Sequence, residues 1–494
     1  MASYDVDLLV LGAGAAGLTA AGTAANLGAR TMMVERDRLG GDCTWTGCVP
    51  SKTLLHAAQL RESAGDFRDH YAEADGPAAP ADWRSVLGDV HETRQEIYHD
   101  ADRPEIFEGF GVEVVKGDAR FTGPHAVHVD GAEGGREVTF RMAVICTGGR
   151  AAPPPIPGLD DTPYLTNETL FEVETQPRHL VIIGGGPIGC EMGQAFRRLG
   201  SEVTILDRGD RLLGRDDADH AEILRRVLER EGVRFVLGAD VERVEGAAGA
   251  VTVRATVGGH SQTVEGDALL VATGRRPNVE DLGLDQAGVE FTDKGVTVDD
   301  RCRTSQKHIW AAGDCTGEYQ LTHMSEHMAK QAVTNAVLKV PAKIDRGGIA
   351  WATYTTPEVA QLGPTEAELR DDGRSFVTYR FPYSKVDRAL TEHAADGHIK
   401  VHATRWRGKI LGASVVGERA GELIAMLAVA KKGGVSVRTV SDTIVPYPTY
   451  GLGARRAADQ YYVQKQFPAA IDVVKRVFGY RGLTPPPPDP ERVL

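Results

Sequence analysis

The apolar positions of the chain begin with an unbroken run, Val6 to Leu11, followed by Gly12, Gly14 and Gly17 and an alanine-rich stretch with helical spacing. A second apolar run, Thr31 to Val34, then ends on Glu35. Runs without polar alternation predict strands buried on both faces, so the segment reads as a parallel strand–helix–strand unit. The pattern returns downstream: a strand over Leu180 to Ile183, then Gly184, Gly186 and Gly189, a helix, and a strand over Val203 to Leu206 ending on Asp207. In both copies the acidic residue lies 18 positions after the third glycine. This spacing allows a tight turn, close approach of backbone to a pyrophosphate, and close helix–strand packing. The helix N-terminus faces the phosphates and the carboxylate faces the ribose. The pattern therefore predicts an α/β protein with two Rossmann-like dinucleotide-binding folds, and two such sites point to electron transfer between cofactors.

Polar, turn-rich segments divide the rest. EADGPAAPAD (73–82) and DGAEGGR (130–136) read as loops, and the Pro-rich AAPPPIPG (151–158) as a stiff crossing between domains. Alternation from Val251 to Val264 around Gly258 and Gly259 predicts a hairpin. From about Gly347 the pattern changes to alternating strands in SFVTYRFPY, GHIKVHA and KILGASVVG, then the amphipathic helix AGELIAMLAVAKKG: a separate α+β domain. The tail TPPPPDPERVL is expected to be extended and exposed.

Composition narrows the function. A chain of 494 residues is long enough for about three domains. With 56 Lys+Arg against 69 Asp+Glu the net charge is −13, and without a basic run nucleic acid is not an expected partner. No apolar window approaches a membrane span, the best candidate being the short Leu423 to Ala430. Asp5 and Asp7 precede the first basic residue, Arg30, which reverses a secretory leader, so a cytoplasmic protein is expected. Six cysteines are too few for a disulfide scaffold, and any disulfide is expected to be catalytic.

The most informative string is GGDCTWTGCVPSKTLLHAAQL. Cys43 and Cys48 bracket four residues at the start of a helical pattern, where the helix dipole favours thiolate. As a metal site the pair would need two further ligands at short spacing, and none is near, so no resident metal is expected. Two neighbouring cysteines alone are as readily ordinary buried thiols, but beside a dinucleotide fold the redox reading prevails.

With these motifs together, the chain resembles the class I pyridine nucleotide–disulfide oxidoreductases, the family of dihydrolipoamide dehydrogenase, glutathione reductase and mercuric reductase. The resemblance spans nearly the whole chain in order. It includes ICTGG (145–149), VATGRRPN (271–278), AAGD (311–314), YTTPEVAQLG (354–363) and ILGASVVG (410–417). It implies FAD on a first domain (1–155), NAD(P) on a second (156–278), a resumed FAD segment (279–346) and a C-terminal dimerisation domain (347–494) of a homodimer. It further implies that Glu35 binds the adenosine ribose of FAD and Asp314 the ribityl chain, with Ala119, Thr147, Gly148, Gly274 and Met324 among the other cofactor contacts. Cys48 would be the flavin-facing, charge-transfer sulfur and Cys43 the outer, interchange sulfur. Lys52 resembles the lysine beneath the flavin, paired with the glutamate matching Glu191. The helix of LTHMSEHMAK would aim its start at the flavin, although His323 and Met324 read equally well as core. Asp207 and Gly189 favour NAD over NADP, since a carboxylate repels a 2′-phosphate, while Arg208 and Arg211 keep NADPH open.

The chain departs from the family at its acid–base element, and, with Cys315 the last cysteine of the sequence, it also lacks the C-terminal cysteine pair that collects mercury in mercuric reductase. Members carry a His-Pro-Thr-x-x-Glu element whose histidine and glutamate serve as an acid–base dyad. Here the string is Tyr447-Pro448-Thr449-Tyr450-Gly451-Leu452. Loss of such a base lowers rates by about 10²–10⁴. Three readings follow: an NAD(P)H oxidoreductase resembling mercuric reductase, whose acceptor is a metal ion, a quinone or an unusual disulfide; a dihydrolipoamide dehydrogenase with another base, such as Tyr450; and a redox sensor without turnover.

Overall fold

The computed structural model describes residues 4–71, 81–131 and 134–483. The Pro-rich tail lies outside them, as does nearly all of the loop expected at 73–82. The chain opens with β1 (Val6–Leu11), α1 (Ala15–Asn26) and β2 (Thr31–Glu35), then α2 (Gly41–Trp45), α3 (Cys48–Tyr71), α4 (Trp83–Ile97) and α5 (Pro104–Gly109). Strands β3 (Val112–Gly123), β4 (Ala126–Gly131) and β5 (Gly134–Ile145) follow, and β6 (Gly149–Ala151) leads out. β1 runs parallel to both β2 and β5, with Leu8 opposite Thr31 and Met142. Covered on both faces, it needs its continuous apolar run. The described residues of the segment 130–136 are strand ends rather than the loop its composition suggested. β4 and β5 extend into it, antiparallel, with Asp130 opposite Gly135 and Gly131 opposite Gly134.

The second fold is built from β7 (His179–Ile183), α6 (Pro187–Leu199), β8 (Glu202–Asp207), α7 (Ala218–Arg230) and β9 (Val233–Leu237). After it come β10 (Ala239–Ala247), β11 (Ala250–Val257), β12 (His260–Gly266) and β13 (Ala268–Val271). The parallel order is β13-β7-β8-β9. The hairpin read from alternation is β11–β12, with Val253 opposite Val264, and it continues into a three-stranded sheet through β10. The charges in ADVERVEGA mask β10 because only its inward positions are apolar.

The chain then returns to the first fold. β14 (Arg275–Pro277) pairs with β6; α8 (Leu284–Ala287), β15 (Phe291–Thr292) and β16 (Gly295–Val296) precede β17 (Ile309–Ala311), which runs parallel beside β5. α9 (Thr322–Ala336) packs on α1 through Ala20, Ala21 and Ala24 against Ala329, Ala332 and Ala336. Small side chains let the two helices approach closely.

The C-terminal unit consists of β18 (Ala350–Thr353), β19 (Glu358–Leu362), α10 (Glu366–Asp371), β20 (Phe376–Pro382), α11 (Asp387–Thr391), β21 (His398–Thr404) and β22 (Ile410–Gly417). Helices α12 (Ala420–Lys432), α13 (Val437–Asp442), α14 (Gly451–Tyr461) and α15 (Phe467–Phe478) complete it. Its antiparallel sheet has the order β18-β19-β22-β21-β20. No helix among the described residues is long and apolar enough to cross a membrane.

Candidate functional site

The carboxyl ends of β1, β2 and β5 open on a cleft of about 940 Å³. Its wall gathers the turn before α1, Glu35 at the end of β2, the dithiol segment, Asp314, the first turn of α9 and Tyr354. The glycines divide the work of the turn. A Cβ on Gly12 would lie 2.4 Å from the Cys146 carbonyl oxygen, and one on Gly17 would lie 1.8 Å from that of Gly12, so both are locked by packing. A Cβ on Gly14 would meet nothing nearer than 3.8 Å. The second fold repeats this arrangement, with Gly184 and Gly189 obstructed and Gly186 open. The middle glycine of each turn thus presents bare backbone to open space at a helix N-terminus, which suits a pyrophosphate in both folds.

Both acidic residues are held in place. Glu35 accepts the Ala13 N–H at 2.7 Å through Oε2 and the Asp37 N–H at 2.9 Å through Oε1. Asp207 accepts the N–H groups of Gly185 and Gly209. The start of α6 also reaches the cleft: Pro187, Ile188, Glu191 and Met192 line its far wall, so the second glycine turn opens beside the first fold's cleft.

Cys43 lies on α2 and Cys48 is the first residue of α3. The two are free thiols, hydrogen-bonded to each other. The bond from Cys43, helped by Thr322 and the Lys52 charge and opposed by burial, brings the Cys48 thiol down to about 6. The same bond, reinforced by burial, raises Cys43. Cys48 Sγ is 3.3 Å from Thr322 Oγ1, the first residue of α9, so two helix N-termini converge on this sulfur. One turn along α3, Lys52 Nζ is 2.9 Å from Glu191 Oε2 and 4.5 Å from the Tyr354 ring centre. The structure therefore brings Glu191, distant in sequence, to the local group of Cys43, Cys48 and Lys52.

Several contributors were not legible in the sequence. Arg275, partly buried, is paired to Asp42 and lies 3.5 Å from Asp314 Oδ2, tying the residue before Cys43 to the resumed segment. Burial raises the Asp314 carboxyl and Arg275 opposes that shift. Thr322 and Tyr354 sit inside motifs quoted for their resemblance, but nothing local marks their side chains as cleft-facing.

Of the remaining expected contacts, Ala119, Thr147 and Gly148 line the cleft, and Thr147 is fixed by Asn278 through bonds of 2.7 and 2.9 Å. Gly274 lies outside it, its carbonyl accepting from Ala152 N. Met324, on α9, is buried in the core beside α1 and is not part of the cleft wall, in keeping with the core reading that the sequence left open for it. Tyr447 is 69% exposed, away from the cleft of its own chain, and a hydrogen bond to Asp387 raises its phenol. Leu452 is buried in the first turn of α14. Tyr450 is not an available base: it is buried, its hydroxyl donates to Glu392 Oε2 at 2.7 Å, and burial and that carboxylate both raise it.

Comparison with known proteins shows the family. Residues 6–329 match the model of the pyridine nucleotide-disulphide oxidoreductases, and residues 349–457 match the dimerisation domain of the same family. The chain is 34% identical to the mercuric reductase of Bacillus cereus over 460 residues, 92% of this chain and 71% of that protein. It is 34% identical to the dihydrolipoyl dehydrogenase of Bacillus subtilis (strain 168) over 462 residues, 92% of this chain and 96% of that one. Among solved structures, a Cu(II) complex of the HOCl-induced flavoprotein disulfide reductase RclA from Escherichia coli superposes with a TM-score of 0.80 at 28% identity, covering 93% of this chain and 100% of that one. LpdA from Mycobacterium tuberculosis does so at 0.84 and 27%, covering 92% and 99%.

Proposed function

The chain belongs to the pyridine nucleotide-disulphide oxidoreductases, flavoprotein enzymes of the mercuric reductase and lipoamide dehydrogenase type, and from that premise we propose that it passes electrons from NAD(P)H through the Cys43–Cys48 pair to a soft metal ion. Membership implies FAD and NAD(P) binding, and the family's C-terminal dimerisation domain supports a homodimer.

The observation that carries the choice of acceptor is the replacement of the dyad by an exposed Tyr447 and a buried Leu452. A disulfide acceptor needs its departing thiolate protonated, and a phenol raised above its ordinary value is a poor general acid–base at neutral pH. A soft ion held by two thiolates needs no such proton. The mercuric reductase relatives and the Cu(II) complex of RclA are named for such ions, which supports the reading.

In this reading Gly12, Gly14, Gly17 and Glu35 hold the adenosine half of FAD, and Ala119, Thr147, Gly148 and Asp314 hold the rest. Gly184, Gly186, Gly189, Asp207 and Gly274 serve the nicotinamide dinucleotide, with NADH preferred. FAD, when bound, supplies the two-electron relay between nicotinamide and thiols. Lys52, oriented by Glu191, holds a cation at the wall of the cleft. Cys48 takes the ion as a thiolate, and Cys43 surrenders its proton to solvent as it becomes the second ligand. In the overall reaction NAD(P)H gives two electrons and releases one proton as NAD(P)⁺ forms. One Hg²⁺ takes both electrons and leaves as the metal, or two Cu²⁺ take one each.

An anaerobic acceptor screen tests this by following nicotinamide oxidation with Hg²⁺, Cu²⁺, a quinone and lipoamide. Metal-dependent turnover lost in Cys43→Ser is the expected result. Preference for the quinone or lipoamide refutes it, and slow oxidation with every acceptor turns the reading toward a sensor.

A further inference from the structure

One polar cluster outside the cleft is used by nothing above. It lies where the first turn of α7, on the second fold, packs against β21 and β22 of the C-terminal sheet. Asp219, His220 and His398 each offer one ligand atom there, all within 4.8 Å of one another. His220 is fully buried, and its Nδ1 lies 2.7 Å from Ser414 Oγ on β22. Its Nε2 is buried too and has no hydrogen-bond partner. That is a standing desolvation penalty, which a bound cation would remove. The ring of His398 stands edge-on to it with centres 5.7 Å apart. Burial, with the nearby Lys400 charge, holds both imidazoles below the ordinary histidine value, so both are in the neutral form that ligates. A ring anchored through one nitrogen and free at the other is how an outer hydrogen bond orients a metal ligand.

We propose that Asp219, His220 and His398 form a binding site for a divalent transition-metal ion of the zinc class, clipping the second fold to the C-terminal sheet. Two imidazoles and one carboxylate suit Zn²⁺ and its neighbours, whereas Ca²⁺ and Mg²⁺ take oxygen ligands. The remaining positions are filled by water on the exposed side, where Asp219 stands. Lys400 sets the strength of the site. Its ammonium lies 2.5 Å from Asp219 Oδ1, 3.2 Å from Asp217 Oδ2 and 3.7 Å from Glu366 Oε2. Glu366 is itself paired with Arg370 and Arg380. The ion takes the other oxygen of Asp219, while Asp217 and Glu366 keep the ammonium, whose charge weakens binding. No short ligand spacing announces this site in the sequence, because His398 arrives from a distant strand.

The test uses the full-length, FAD-loaded protein carrying Cys43→Ser and Cys48→Ser, so that the dithiol does not compete. Zn²⁺ is measured by equilibrium dialysis with metal analysis, and Co²⁺ serves as the spectroscopic probe. Expected are one Zn²⁺ per chain and visible Co²⁺ bands without thiolate absorption. Affinity should fall at least about tenfold in His398→Ala and in Asp219→Asn. Flavin absorbance and circular dichroism confirm that each variant is folded, and the more exposed Asp219→Asn decides the matter if His398→Ala does not fold. Absence of retained Zn²⁺, affinity unchanged by the substitutions, or thiolate bands with Co²⁺ would each overturn the proposal.

Discussion

Lys52 Nζ lies 2.9 Å from Glu191 Oε2, and the other oxygen of that carboxylate accepts the Tyr354 N–H at 2.9 Å. One buried side chain thereby joins α3, the glycine helix of the second fold and the edge of the C-terminal sheet. Glu191 is 5% exposed, so Glu191→Ala strands the part-buried Tyr354 amide and a partly buried cation. The expected loss is about 1–3 kcal/mol of stability, read by urea unfolding of the flavin-loaded protein. Nicotinamide-driven reduction of the dithiol should slow as well. A variant with unchanged unfolding and unchanged reduction would show the contact to be incidental.

The dithiol has a pH signature. With Cys48 brought down to about 6, the reduced pair should react with iodoacetamide at a rate that rises through that pH, below the ordinary thiol range near 8.5. The sign follows from linkage. A thiol whose folded value is depressed contributes stability that is complete above its unfolded value and is lost as pH falls through about 6. Lys52→Met removes one of the lowering charges and should move the inflection upward. Peptide mapping identifies the alkylated sulfur, and an inflection fixed near 8.5 in both proteins contradicts the assignment.

The strands of the two glycine units were legible because β1 and β7 are buried on both faces and must be apolar throughout, and the obstructed outer glycines must recur at fixed spacing. β10 and the hairpin of β4 and β5 were not, since exposed strand faces carry charges or glycines that resemble loops. In the site, Cys43, Cys48 and Lys52 sit within one local motif and could be read. The Asp42–Arg275–Asp314 tie and the bond of Tyr450 to Glu392 join residues far apart in sequence, and no local spacing encodes them. Met324 illustrates the converse, since a helix position beside the cleft still turns its side chain into the core.

Cofactor preference should follow Asp207. Arg211, the nearby cation that would favour NADPH, donates to the carbonyls of Gly214 and Asp216 at 2.7 and 2.8 Å and is committed to its own loop. NADH is therefore expected to have the higher kcat/KM, and Asp207→Ala should erode the ratio at least about tenfold. A wild-type preference for NADPH would mean that Arg208 governs the pocket.

The last expectation separates acceptors by their need for a proton. With Tyr447 exposed on one chain, the family's homodimer is what can carry it to a cleft, that of the other subunit. The wild type should reduce lipoamide poorly while NADH still reduces its dithiol rapidly, because the deficit lies where Cys43 must be deprotonated and a departing thiol protonated. Tyr447→His supplies an imidazole at an exposed position and should fold normally. Leu452→Glu places a carboxylate at a buried position in the first turn of α14, so alone it should destabilise the chain. Combined, the two groups pair across the turn, and disulfide turnover should rise by at least about tenfold, a fraction of what acid–base catalysis contributes. Metal-ion reduction should stay nearly constant in the same variants, since thiolate ligation needs no general acid. Lipoamide activity in the wild type at dehydrogenase-like levels would overturn this account. Tyr450 is held by Glu392, so the base would then have to be sought in an ordered water or a group from the other subunit.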